Sequence, residues 1–126
     1  MAFSDYLENK LLAHTFSGTA FSKPSSHHVA LYTVAPTDST TGTEVTGGAY
    51  ARQSASFSTS GSATTNSGAI EYPTATANYG TVVAVAVLDA ASGGNMLAFA
   101  SLDTNKTIST GDVFRIPVGD LDITLN

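Results

Sequence analysis

Residues 81–88 read Thr-Val-Val-Ala-Val-Ala-Val-Leu (TVVAVAVL), and this run decides the fold class. It is apolar after the threonine, rich in valine, and bounded by Gly80 and Asp89. A short apolar run of β-branched residues between turn formers is typical of a strand buried on both faces. We therefore expect it at the centre of a sheet. Residues 91–95 form a glycine-containing turn, after which residues 96–102 are expected to return as the hairpin partner.

The rest of the chain supplies further short strands separated by turn signals. Residues 28–34 (HVALYTV) predict a second strand that is buried on both faces, and Pro36 ends it. The remaining predicted strands are 50–58, 69–72, 106–109, 113–116 and 121–125. This spacing, with one helix, predicts a mainly β fold: a single-domain antiparallel β-sandwich or small barrel over residues 1–126, with the sandwich in residues 28–125.

Three segments between the strands are predicted to be loops or turns. Residues 35–48 form a long polar loop, and loops of this length are uncommon unless they have a role. Residues 58–68 contain mostly Ser, Thr, Gly and Asn, which predicts a turn or a flexible tip. Residues 103–105 (DTN) predict a turn that separates residues 96–102 from the short strand 106–109.

Residues 3–14 predict the helix. Ser4 is suited to cap its first turn, and the acidic residues that follow complement the positive end of the helix dipole. A helix of this length does not persist alone in water, so it must dock on its own domain or on a partner. Its apolar residues recur at helical spacing and are candidates for an anchor or interface: Phe3, Leu7, Leu11 and Leu12.

The composition excludes several classes of function. The chain has 126 residues, no cysteine, five basic and ten acidic residues, and a net charge of -5. Without cysteine there is no disulfide, thiolate metal site or cysteine nucleophile. The acidic balance argues against nucleic acid and against an anionic membrane surface, both of which need cationic faces. The sequence also predicts neither a membrane span nor a signal peptide.

Candidate reaction centres are weak. His27-His28 places neighbouring side chains on opposite faces of a strand, which does not suit one metal ion. Asp120 and Asp122 share a strand face, where a solvated surface is the favoured interpretation over a paired carboxylate site. No nucleophile elbow or phosphate-binding glycine loop is present. We therefore expect no enzyme, no metal and no cofactor. Three tyrosines are candidates for stacking on sugars or, more commonly, for core packing: Tyr50, Tyr72 and Tyr79.

Three segments together resemble a family of small tailed-bacteriophage virion proteins of the tail-fibre or minor virion type. They are residues 4–12 (SDYLENKLL), residues 43–53 (TEVTGGAYARQ, with an EV-GG-YARQ motif), and residues 72–76 (YPTAT) with 79–82 (YGTV), which lead through the glycine hairpin to residues 111–114 (GDVF). The resemblance implies a non-enzymatic protein of the virion that is assembled in the bacterial cytoplasm. Its expected partners are other virion proteins and further copies of itself.

The resemblance leaves two locations open on the particle exterior. One is a tail or fibre-associated protein, and the other is a capsid decoration (cement) protein. A carbohydrate- or host-receptor-binding β-module is the alternative function. Within the motif, Glu44 and Arg52 are expected to form an ion pair that fixes the long loop against the sheet. Gly47 and Gly48 are expected to permit a sharp turn into the strand that begins at Tyr50.

Overall fold

The computed structural model describes residues 1–125, and the fold is mainly β, with 40% strand and 10% helix. This confirms the predicted fold class of an antiparallel β protein with one short N-terminal helix. The elements in chain order are β1 (Ala2–Phe3), α1 (Asp5–Leu12), a π-helical turn (Ala13–Ser17), β2 (His28–Val34), β3 (Thr43–Glu44), β4 (Gln53–Ser54), β5 (Phe57–Ser60), β6 (Ala63–Asn66), β7 (Ile70–Glu71), β8 (Gly80–Leu88), β9 (Met96–Ile108), β10 (Arg115–Ile116) and β11 (Asp122–Thr124).

The largest sheet has six antiparallel strands with β8 in its middle. Its order is β1-β9-β8-β2-β3, and β4 also pairs with β2. Strands β2 and β8 are in register from His28 opposite Leu88 to Tyr32 opposite Ala84. The apolar runs that predicted two doubly buried strands therefore lie side by side at the sheet centre, and both predictions are confirmed.

The core lies between this sheet and two smaller sheets. The smaller sheets have the orders β10-β7 and β11-β6-β5. The main sheet contributes alternate residues of its central strands, such as Leu31 and Val85, and the smaller sheets contribute Ile70, Ile116 and, beside them, Leu121. Within residues 1–125 the strands do not close, so the barrel that the sequence left open as an alternative is not formed.

The opposite face of the main sheet carries a second apolar cluster of small residues. Ala30, Ala84 and Ala86 are fully buried there beside Tyr32. The predicted loop after β2 contains β3 and reaches the far edge of the sheet. Pro36 within it is buried, and the Asp38 carbonyl accepts a hydrogen bond from the Asp5 N–H at 3.0 Å. The loop thus connects the sheet centre to the start of the helix.

Strand β9 corrects one prediction. The sequence predicted two strands separated by a turn at residues 103–105, and the structure has one strand, Met96–Ile108. Ser101 lies opposite Ala84 and Lys106 lies opposite Val82, so four residues of β9 oppose Val83 alone. The turn-forming residues form a large bulge, which lets the chain continue in the same strand.

Residues 50–68 correct two further predictions. The predicted strand 50–58 is replaced by the two-residue strand β4 and by β5, which starts at Phe57. Residues 58–68 were predicted to be a turn or a flexible tip, whereas β5 and β6 pair over four residues as a hairpin. The last residue of the hairpin, Asn66, is fully buried. Because asparagine is polar, the hydropathy of the sequence gives no indication that this residue fixes the hairpin in place.

The helix also differs from its prediction at both ends. Phe3 belongs to strand β1, opposite Ala98, and not to the helix. At the other end the helix passes into the π-helical turn Ala13–Ser17, which ends at Gly18 in the left-handed conformation (φ 80°). Among residues 1–125 no helix combines the length and the apolarity required to cross a bilayer.

Candidate functional site

Ser4 fixes the start of the helix to the main sheet. Its Oγ accepts a hydrogen bond from the Leu7 N–H at 3.2 Å and donates one to the Met96 carbonyl. The Ser4 N–H donates to the Leu97 carbonyl at 2.9 Å. Ser4 is buried, so one side chain both caps the helix and joins it to β9. The predicted N-cap is confirmed.

The four residues predicted as an anchor occupy different environments. Phe3 and Leu7 are half-buried, and Leu7 packs against the core. Leu11 is also half-buried, whereas Leu12 is 58% exposed. The base of the helix therefore belongs to the domain, and its outer end projects from it.

Phe16 is the residue of this region that the sequence prediction missed. It lies in the π-helical turn and is 80% exposed, the highest value among the exposed large apolar side chains of residues 1–125. Its signal was the spacing of four from Leu12, which extends the helical period past residue 14. We call Leu12 and Phe16 the helix tip.

The chain after the helix folds back and leaves the helix tip outside. The Phe21 N–H donates to Nδ1 of His14 at 3.0 Å, and the Phe21 ring contacts Tyr6 edge-on with 6.3 Å between centroids. A groove with a volume of about 410 Å³ lies beside this segment and is lined mainly by apolar residues, Leu7 and Phe57 among them. His27 stacks edge-on against Phe57 in this groove. Burial lowers the pKa of His27, so a neutral imidazole is favoured there.

Glu44, Tyr50 and Arg52 form the second candidate site. Arg52 Nε and Nη2 donate to the two carboxylate oxygens of Glu44 at 2.9 and 2.8 Å, and the Tyr50 hydroxyl donates to Oε2 at 2.7 Å. Arg52 Nη1 also donates to the carbonyls of Ala90 and Gly93 at 3.0 and 2.9 Å. The ion pair expected between Glu44 and Arg52 is thus present, and it links the β3 loop to the turn after β8.

The electrostatics of this cluster favour a fixed charged pair. Burial alone would raise the pKa of Glu44, but the hydrogen bonds from Arg52 and Tyr50 outweigh it, so this pKa is lowered. Burial, with the hydrogen bond to Glu44, raises the pKa of Tyr50 far above its usual value. Glu44 therefore stays ionised and Tyr50 stays neutral at neutral pH. Neither group is poised for proton transfer, and the cluster is suited to cross-linking loops.

The Gly47-Gly48 turn packs closely on the segment before β8. Both glycines have positive φ, as does Ala49 (φ 68°). The Thr76 N–H donates to the Gly48 carbonyl at 3.0 Å, and a Cβ on Gly48 would lie 2.7 Å from the Ala77 carbonyl oxygen. The glycine at position 48 is therefore required by close approach as well as by its φ.

The three tyrosines considered for sugar stacking contribute to the core. Tyr72 and Tyr79 are buried, and Tyr50 lies between them. The Tyr50 ring is stacked on Tyr72 with 6.1 Å between centroids and meets Tyr79 edge-on at 5.8 Å. The Tyr72 hydroxyl donates to the Val29 carbonyl at 2.7 Å. Two of the three rings present no face to solvent, so these residues do not form a sugar-binding platform.

The remaining candidates stay separate. Asp120 lies in the turn before β11 and Asp122 within that strand, and His28 starts β2. In the described part of the chain no three His, Asp or Glu side chains converge as metal ligands would. Neither aspartate contributes a hydrogen bond that would orient a partner for acid–base chemistry.

Comparisons with known proteins identify the family of the chain. No curated protein matches the chain. A family model does match, over residues 2–124, and its description is podophage GP4 fiber I protein gp80. The resemblance to a phage tail-fibre type of protein is thereby confirmed at the family level. The chain belongs to the family of the podophage GP4 fiber I protein gp80.

Proposed function

We propose that this chain is an assembly protein on the exterior of a tailed-phage particle, held there by protein–protein contacts of its helix tip. Its family gives it a phage structural role of the tail-fibre type, as a component of the virion that associates with other virion components. Exterior exposure, homo-oligomerisation and assembly in the host cytoplasm are parts of this proposal.

The observation that carries the proposal is the exposure of the helix tip. Leu12 and Phe16 are large apolar residues held outside the domain by a helix whose base is fixed through Ser4. Exposed apolar groups of this kind are typical of interaction sites. Burying both side chains against a partner would contribute roughly 2–4 kcal/mol, at about 1.5–3 kcal/mol for each fully buried large apolar side chain, because 58% of Leu12 and 80% of Phe16 is still exposed.

A tail or fibre location is favoured over capsid decoration by the fibre family. The two locations differ in copy number, because a decoration protein follows the capsid lattice and a tail protein follows the tail symmetry. Cryo-EM of the particle, with quantitative mass spectrometry of its proteins, measures both quantities. Absence of the chain from purified particles would refute the proposal. Density for the chain over the whole capsid lattice would instead indicate a capsid decoration protein.

Paired variants test the helix tip. Leu12→Ser with Phe16→Ser is expected to reduce incorporation into particles at least tenfold while leaving the thermal unfolding temperature unchanged, since both residues are exposed. The matched control is Val34→Ser with Val118→Ser, which removes two apolar side chains of similar exposure elsewhere on the molecule. Equal incorporation of the two double variants would exclude the helix tip as the anchor.

The carbohydrate- or receptor-binding alternative has no structural observation in its favour, because Tyr72 and Tyr79 are buried in the core. It predicts saturable binding of host-surface glycans by the purified chain. A titration with such glycans that reaches saturation would reinstate this function beside the structural one.

A further inference from the structure

Strand β5 is an open edge of the three-stranded sheet. It pairs with β6 along its whole length, and in the described residues no strand pairs with its other side. The residues that follow Phe57 in this strand are exposed. Such an edge presents unpaired backbone N–H and C=O groups to which another strand can add.

The other edges of residues 1–125 are protected. Strands β1, β3, β7 and β10 have two residues each. Strand β11 has three, and the Asp122 carbonyl accepts a hydrogen bond from the amino group of Met1 at 3.3 Å. The outer edge of β9 beyond β1 is interrupted by the large bulge and carries Asp103 and Lys106. Shortness, charge and bulges are the usual protections of an edge, and β5 has four residues and neither charge nor bulge.

The charge pattern of the chain favours a second copy as the partner of β5. The chain carries a net charge of -5, so two copies repel one another over most of their surfaces. Residues 53–70, which include β5 and β6, contain no Asp, Glu, Lys, Arg or His. Two copies can therefore meet along this hairpin without opposing like charges, which destabilise directly paired strand positions.

The hairpin register identifies the groups that face outward. The Ser67 N–H donates to the Ser56 carbonyl at 2.9 Å, on the side that faces β6. Alternate residues of an antiparallel strand direct their backbone groups to opposite sides, so Ser58 and Ser60 also bond toward β6. Phe57 and Thr59 therefore direct their N–H and C=O groups toward the open side. Ala55 has the same orientation, and its N–H already donates to the His27 carbonyl at 2.9 Å, so the free part of this side begins at Phe57.

We propose that two copies of this chain pair antiparallel through β5, with a two-fold axis beside Ser58. In this register each Phe57 exchanges two hydrogen bonds with Thr59 of the second copy, and every outward backbone group of these two residues is paired. Ser58 faces Ser58 of the second copy. The inference builds on the proposed assembly role and names one surface and one partner for it.

The pairing is weak for isolated chains and stronger within a particle. Pairing of two four-residue strands buries much less surface than the roughly 1,200–2,000 Å² that standard stable interfaces bury. Attachment of neighbouring copies to a common partner raises their effective concentration to about the millimolar range, at which weak contacts become occupied.

Cysteine cross-linking tests this register, because the chain has no cysteine of its own. Ser58→Cys is expected to form disulfide-linked dimers of the purified full chain under mild oxidation at least tenfold faster than Ser62→Cys. Ser62 is also exposed and lies on the same hairpin, but the two copies of residue 62 would be roughly 25 Å apart in the proposed dimer. Equal rates for the two variants would overturn the proposal.

Charge variants at the same position provide a second measurement. At concentrations where the wild type self-associates in analytical ultracentrifugation, Ser58→Asp and Ser58→Lys are each expected to be monomeric, and their equimolar mixture is expected to associate again. Wild-type protein that stays monomeric at about 1 mM, or association that both variants retain, would overturn the proposal. Cross-linking of Ser58→Cys to a different virion protein in particles would do so too. Incorporation of the chain into particles is a separate readout, so the assembly role can stand if this pairing fails.

Discussion

Asn66 offers the sharpest test of how the smaller sheets are held together. It is fully buried and its side chain makes four hydrogen bonds. Nδ2 donates to the carbonyls of Gly68 and Pro117, both at 2.9 Å. Oδ1 accepts from the N–H groups of Gly119 and Leu121 at 3.1 and 2.9 Å. One side chain thus joins the hairpin β5–β6 to the turn that precedes β11.

Replacement of Asn66 by alanine removes all four bonds. The Gly119 N–H keeps the Asn66 backbone carbonyl at 3.1 Å and the Pro117 carbonyl keeps the Asp120 N–H at 3.2 Å, so two groups of the described chain, the Gly68 carbonyl and the Leu121 N–H, lose their partner. At about 1 kcal/mol of net stability for each hydrogen bond, the loss is about 4 kcal/mol, before any cost of unpaired buried groups. Domains of this size have total stabilities of about 5–15 kcal/mol. We therefore expect Asn66→Ala to lower the unfolding temperature by about 15 °C.

Urea denaturation followed by circular dichroism measures this loss, with calorimetry for the unfolding temperature. Ser67→Ala, at the exposed neighbouring position, is the matched control and is expected to change stability by less than about 0.5 kcal/mol. Asn66→Asp keeps the two bonds accepted by Oδ1 but sets a buried carboxylate oxygen against the Gly68 and Pro117 carbonyls, and it should lose at least as much stability as Asn66→Ala at neutral pH. A loss below about 1 kcal/mol for Asn66→Ala would show that the turn holds without this side chain, and the reasoning would be refuted.

Three further outcomes are expected. Glu44→Gln should cost about 2 kcal/mol in urea denaturation, because Arg52 is only 9% exposed and loses its charged acceptor, while water screens Glu44 in part. The pKa of Glu44 is lowered from 4.5 in the folded chain, so the stability that its charge contributes is present above about pH 4.5 and is lost as the pH falls through the folded-state pKa. A stability–pH profile of the glutamine variant should lack this decline. A profile that is the same as that of the wild type would contradict the assignment. Ala49→Gly should raise stability by about 0.5–1 kcal/mol by relieving its positive φ, whereas a loss of stability would show that the turn is unstrained. Tyr72→Phe should cost about 1 kcal/mol in the same assay, because the buried Val29 carbonyl loses its donor; an equally stable variant would show that this bond contributes nothing.

The sequence predicted the centre of the fold because hydrophobic pattern alone decides it. Residues 28–34 and 81–88 are too apolar to lie anywhere but between two layers, and they form the paired strands β2 and β8. The helix start was predictable from Ser4, whose side chain acts locally. That residues 1–126 form one domain stays a prediction.

The elements that were mispredicted depend on contacts distant in sequence. The hairpin of β5 and β6 is polar apart from Phe57 and Ala63 and is held by Asn66, which bonds to Pro117 51 positions away. The bulge of β9 has the composition of a turn and is extended only because β8 lies beside it. Local propensity does not carry this information.

The candidate site was predictable to a similar degree. The Glu44–Arg52 pair followed from two opposite charges flanking a glycine turn, whereas the contacts of Arg52 with Ala90 and Gly93 depend on the position of a distant turn. The exposed helix tip was missed because the helix was predicted to end at residue 14, whereas the π-helical turn Ala13–Ser17 continues it and carries Phe16.

The contact between Asp38 and Asp5 has a mechanical consequence. The helix is tied to strand β9 of the main sheet through Ser4 and, through the loop that contains Asp38, to the end of strand β2. A force applied to the helix tip is therefore distributed over strands β9 and β2. Separation of β1 from the sheet does not by itself release the helix. In the attachment through the helix tip that we propose, a pulling force would have to break both connections before the helix separated from the sheet.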